Sequence, residues 1–189
     1  MIRTLKTLAL ATSLSLPAAA LAQPVMDSGN EEKPAAAAPV EIPAEAKDAQ
    51  EVLTKYLDAV KAKKWNDAKK LTHPKTMEAI AQRKKNLGHE DHPMAPWFQE
   101  KANYFLKEYR LTGAAPAHGG TWIFSTSEDN FQVEEKGMSE GDEAHYLVGK
   151  TGGKWLVVDK KRGVTFGKDS IRYGYKGFFD APAAKAEGE

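Results

Sequence analysis

The sequence predicts an α+β domain in which helices come first and an antiparallel sheet follows. Three observations lead there. Apolar residues recur at helical steps from Glu45 to about Leu87, the chain alternates apolar and polar residues from Tyr109 onward, and Glu143–Arg162 reads as a β-hairpin. In the hairpin, the apolar runs His145–Val148 and Trp155–Val158 face each other across Lys150-Thr151-Gly152-Gly153. Gly-Gly accepts positive φ without steric cost, so the chain can reverse there and its two arms can pair.

The ends are expected to lie outside this domain. Met1–Ala22 carries Arg3 and Lys6, then the apolar run Leu8–Leu21, and closes on Ala20-Leu21-Ala22, the pattern of a secretory signal. Thr12, Ser13, Ser15 and Pro17 interrupt a run already shorter than the roughly 20 residues a bilayer requires, so cleavage is expected rather than anchoring. Without cysteine there is no acylation site. Gln23–Ala44 is rich in Pro, Ala and acids and has too little to bury, which makes it a disordered linker, and Asp180–Glu189 has the same character. One folded domain, residues 45–179, remains, in a periplasmic or secreted protein.

Removing residues 1–22 leaves 25 basic against 26 acidic residues, a net charge of −1 with histidines neutral. That balance argues against nucleic acid and against anionic membranes once the signal is gone. The absence of cysteine excludes disulfides, thiolate catalysis and thiolate-bound zinc, so stability must come from an ordinary hydrophobic core.

In chain order, Ala49, Val52, Leu53, Tyr56, Leu57 and Val60 form one face of a first helix, opposite Lys47, Asp48, Glu51, Lys55, Asp58 and Lys61. Trp65, Ala68 and Leu71 mark a second, shorter helix. Thr72 or His73 can cap a third, with Pro74 in its first turn, Met77, Ile80, Ala81 and Leu87 expected to be buried, and Gly88 as its stop. His89–Pro93 is a loop, and a further helical stretch runs from Pro96 to about Tyr104. Tyr109, Leu111 and Gly113 alternate as a strand, Pro116–Gly120 turns, and Thr121–Ser127 returns. Phe131–Glu135 is a short strand or extended loop, Lys136–Asp142 a polar connection, and Gly163–Phe179 an aromatic, glycine-punctuated segment expected to pack irregularly over the sheet.

Val52–Pro74 (VLTKYLDAVKAKKWNDAKKLTHP), Glu108–Gly113 (EYRLTG) and Gly152–Val158 (GGKWLVV) resemble the nuclear-transport-factor-2-like superfamily, the cone fold shared with ketosteroid isomerase. The resemblance covers roughly Glu45–Lys161. It implies a curved sheet wrapped around the long first helix, with a pocket at the open end of the cone and dimerisation through the sheet face. In isomerase-like members a tyrosine of the first helix stabilises an enolate while an aspartate moves the proton. Tyr56 matches that tyrosine, but the chain continues Thr72-His73-Pro74 where the Asp-Pro step falls, and Ala144 stands where the second acid would be. A catalytic reading therefore needs Tyr56 with His145, His73 or His118 as base, and the alternative is that Tyr56 belongs to the core.

Three further constellations bear on function. His89, Asp91 and His92 are candidate metal ligands within one loop, with His73 or His118 as a fourth, but no second pair stands at a set distance. Ser125, Ser127, Ser139 and Ser170 are not in a nucleophile elbow, and no glycine-rich phosphate loop precedes a helix, so neither serine hydrolysis nor nucleotide binding is expected. Trp65, Trp97, Tyr104, Trp122, Tyr146 and Trp155 fall in elements that line or back the cone. With Tyr56 they either wall a pocket for a small apolar ligand or fill the core. The sequence thus points to a non-catalytic exported binding domain for such a ligand or for a protein partner, without cofactor. An isomerase or dehydratase using the cone pocket is the rival.

Overall fold

The structure, a computed structural model, describes residues 40–88, 92, 94–95, 104–133 and 135–179. It is α+β, as expected: helices precede a curved four-stranded antiparallel sheet of order β1-β2-β3-β4. After a short 3-10 turn at Ala44–Ala46 come α1 (Lys47–Lys61), α2 (Trp65–Lys70) and α3 (Pro74–Leu87). The strands are β1 (Tyr104–Pro116), β2 (Trp122–Gln132), β3 (Gly137–Thr151) and β4 (Lys154–Arg162), and a short helix, α4 (Lys168–Gly174), follows. Among the described residues no helix is long and apolar enough to cross a membrane.

The amphipathic stripe of α1 does what its spacing predicts. Ala49, Leu53, Tyr56, Leu57 and Val60 are buried against Phe124, Ala144, Tyr146, Val148 and Val157 of the sheet. His73 is the cap of α3, its ring accepting the Lys75 amide, with Pro74 in the first turn and Gly88 closing the helix at φ +74°. The link from α2 to α3 also shields β4. The His73 amide donates to the Val157 carbonyl and the Val157 amide to the Leu71 carbonyl, both at 2.9 Å, which pairs the outer edge of β4.

The hairpin forms where the glycines sit. Thr151 pairs with Lys154, and Gly152 and Gly153 adopt φ +58° and +76°, the two positive values of a type I′ turn. A Cβ at Gly153 would meet nothing within 4 Å, so the cost of adding one is confined to the backbone. Gly153→Ala is expected to lose about 1–2 kcal/mol, and an unchanged urea midpoint would contradict that account.

The strands run further into polar sequence than their composition suggests. β2 continues past Ser127 to Gln132, and β3 begins at Gly137, inside the stretch read as a polar connection. Tyr104 already belongs to β1, while the helical stretch expected at residues 96–103 lies outside the described residues. Bulges at Lys107 and Thr112 shift the phase of β1, so Gly113 faces Ser125 and leaves the side occupied by Tyr109 and Leu111.

Gly163–Phe179, called the strap below, is more ordered than expected and contains α4. It lies on the face of the sheet away from α1. There Phe166, Ile171, Tyr175, Phe178 and Phe179 gather over Ile123, Leu147 and Val158 as a second apolar cluster. The sheet is therefore sandwiched between the N-terminal helices and the strap.

Candidate functional site

Alternation along β2 places Phe124, Thr126, Glu128 and Asn130 on the helix-facing side, and all four are fully buried. Phe124 is opposite Tyr146, Thr126 opposite Ala144 and Glu128 opposite Asp142 on β3, while Tyr146 is opposite Lys160 on β4. Three neighbouring strands thereby bring Glu128, Tyr146 and Lys160 together on one face. The Tyr146 hydroxyl donates to Glu128 Oε1 at 2.5 Å, and Lys160 Nζ donates to both carboxylate oxygens at 3.1 and 2.8 Å. The Thr126 hydroxyl adds a longer bond to the same carboxylate at 3.3 Å.

A charge in such surroundings persists because it is paired. Burial pushes the Lys160 ammonium below its ordinary pKa, and the attraction of Glu128 works the other way. The lysine also sits 5.1 Å from the centre of the Tyr146 ring. Because the Glu128 carboxylate is fully buried and already accepts bonds from tyrosine, lysine and threonine, it is built to hold the three strands in register.

From this buried centre a polar stripe leads outward. Asn130 Nδ2 donates to Asp142 at 3.0 Å and the Ser139 hydroxyl at 2.8 Å. Burial alone would raise the Asp142 pKa, but those two bonds and the charges of Arg162 and Lys160 bring it below the ordinary carboxylate value. Asp142 and Ser139 open into a cleft of about 440 Å³ that Gln132, Glu143, Arg162 and Gly163 complete.

The residues singled out in the sequence are only partly brought together. Tyr56 and Tyr146 meet edge to face at 6.2 Å, 3 % and 1 % exposed, as members of the core. Trp65, Trp122 and Trp155 pack half-buried around the same cluster. Trp97 lies outside the described residues, and Tyr104 begins β1. No described cleft is lined by Tyr56, Tyr146, Trp65 or Trp122. Tyr56 and Tyr146 thus take part in the packing between α1 and the sheet.

The histidines are dispersed. His145 projects from the face of β3 opposite Tyr146, so it does not approach Tyr56, and the Tyr56–His145 pairing required for catalysis is not formed. Its ring bonds Ser125 Oγ at 2.9 Å and lies 3.3 Å from Glu143. This row has the members of a hydrolytic triad, and Glu143 also lines the Asp142–Arg162 cleft, but Ser125 and His145 line none of the described clefts, and Ser125 sits within paired strands where backbone amides serve the ladder. His73 caps α3, and exposed His118 belongs to the turn before β2. His92 accepts the Met94 amide, while His89 and Asp91 lie outside the described residues. Among the described residues, no three His, Asp or Glu side chains gather as a metal site.

No family model and no curated protein matches the chain. Among solved structures, the intermembrane space region of the chloroplast protein ARC6 aligns at 8 % identity with a TM-score of 0.35, over 66 % of this chain and 100 % of that one.

Proposed function

We propose that the protein is an exported, non-catalytic binding module, of the nuclear-transport-factor-2-like type that its sequence resembles. Its ligand is a small polar molecule, or the polar segment of a partner, held at the Asp142–Arg162 cleft. The carrying observation is the contrast between the two carboxylates. Glu128 is sealed and saturated, whereas Asp142 stands at an open cleft with Ser139 and Asn130 fixing its oxygens and Arg162 beside it. A carboxylate and a guanidinium lining one cleft suit a ligand that carries both a donor cation and an acceptor anion. The helices-then-meander order and the expected leader support the family and the export.

Native mass spectrometry of protein purified from its own host tests this reading, with Asp142→Asn/Arg162→Ala as the control. The expected result is a small molecule or partner retained by the wild type and lost from the double variant, with the melting temperature changed by less than about 4 °C. A wild-type protein carrying nothing and binding no member of a panel of small zwitterions would sink it. Deuterium exchange into enolisable ketones, abolished by Tyr56→Phe, would instead favour the isomerase reading.

A further inference from the structure

One histidine ties the strap to the rest of the molecule. His73 is 2 % exposed, and its Nδ1 accepts the Lys75 backbone N–H at 3.1 Å, so the neutral ring carries its proton on Nε2. Nε2 points into the strap, 2.9 Å from the Phe178 carbonyl and 3.0 Å from Thr151 Oγ1, and the Thr151 hydroxyl donates to the same carbonyl. The Phe178 ring stacks on the imidazole with centroids 4.8 Å apart. Around this point Lys75 Nζ donates to the Gly177 carbonyl at 2.7 Å. Phe179 lies so close over Gly149 that a Cβ there would be 2.2 Å from its ring.

A second proton on this ring has no place in the closed arrangement. On Nδ1 it would face the Lys75 N–H, which now uses that lone pair. It would also put a cation at the N-terminus of α3, where the helix dipole disfavours positive charge. Burial acts first to lower the His73 pKa, and the Phe178 carbonyl opposes it; the Lys75 ammonium lowers it further and Glu78 opposes. The hairpin and the strap present Thr151 and Phe178, neither of which ionises in this range, and the Tyr175 hydroxyl in the strap is engaged by Asp159 of β4. To accept the proton the ring must turn, and turning it withdraws both the Nε2 donor and the stacking surface from Phe178.

We propose that His73 is a proton-operated latch: the neutral ring holds the Tyr175–Phe179 end of the strap on β3 and β4, and protonation releases that end and bares the apolar sheet surface at Leu147 and Val158. The sign follows from the lowered pKa. The open form takes up the proton more readily, so closure is complete above the ordinary histidine value of about 6.5 and is lost as pH falls through the lower value of the closed form. Acid opens the latch.

Hydrogen exchange of the whole protein at pH 7.5 and 5.0, corrected for the intrinsic pH dependence of exchange, tests this. Amides of residues 171–179 are expected to lose about tenfold in protection at the lower pH, while those of residues 123–148 keep theirs. In His73→Asn the amide oxygen preserves the cap on α3 but cannot take a proton, so the strap is less protected overall and its protection is equal at both pH values. Nitrogen-15 titration of the wild-type ring supplies a reading independent of that variant: Nδ1 unprotonated at pH 7.5, with a midpoint below that of a free histidine. Equal wild-type protection at both pH values, the same acid loss in His73→Asn, or a midpoint at or above the free value would each overturn the latch.

Discussion

Lys160→Met is expected to destabilise the protein by about 3–5 kcal/mol, because it leaves the Glu128 carboxylate buried without its counter-charge. The carboxylate is fully buried and would keep only Tyr146 and the long bond from Thr126. In thermal unfolding this corresponds to a fall of roughly 10–20 °C. The companion experiment removes the charges together. Glu128→Leu with Lys160→Met and Tyr146→Phe leaves no ionised group and no orphaned phenol, and its stability is expected to lie within about 1 kcal/mol of the wild type or above it. Unfolding in urea decides the matter: a single variant that loses less than about 1 kcal/mol would mean that the pair is not sealed, as would a triple variant no better than the single one.

Phe124→Ala is expected to cost a similar amount, about 3–5 kcal/mol, by a different route. Phe124 has no exposure, faces Tyr146 across β2 and β3, and belongs to the same cluster as Leu53, Tyr56 and Leu57 of α1. Removing its ring leaves a hole that strands pinned on both sides cannot collapse. Such a hole is apolar and can take a small aromatic molecule. Benzene or indole is therefore expected to raise the melting temperature of the variant and to leave the wild type unmoved. A wild type stabilised by indole to the same extent would show that an apolar pocket is present without removal of the Phe124 ring.

Most of the architecture is legible in the sequence because it rests on local signals. The spacing of Ala49, Leu53, Tyr56, Leu57 and Val60, the His73-Pro74 start, the Gly88 stop and the Gly152-Gly153 reversal each act within a few residues, and each appears where it is read. What is not legible rests on register. Glu128 and Lys160 are 32 residues apart and meet only because β3 lies between their strands with Tyr146 in line. A signal did exist: Phe124, Thr126, Glu128 and Asn130 keep the two-residue period of a strand beyond Ser127. Charge in the second half of that run makes it look like a loop, because the acid gives no sign of the cation that neutralises it. The aromatic residues are ambiguous in the sequence for the converse reason. Large rings at pocket-lining positions and large rings filling a core look the same until the space between them is seen to be occupied.

Among the described residues β1 has a strand neighbour on one side only, and it is also the strand interrupted by bulges at Lys107 and Thr112. An unbroken outer strand would offer a second molecule a straight row of amides and carbonyls on which to stack, the first step toward fibrils. Each bulge breaks the spacing of that row, and Lys107, Glu108 and Arg110 add charge that an incoming strand would have to strip of water. The irregularity of β1 thus guards solubility, and a version of the chain with both extra residues deleted would be the one to watch for aggregation.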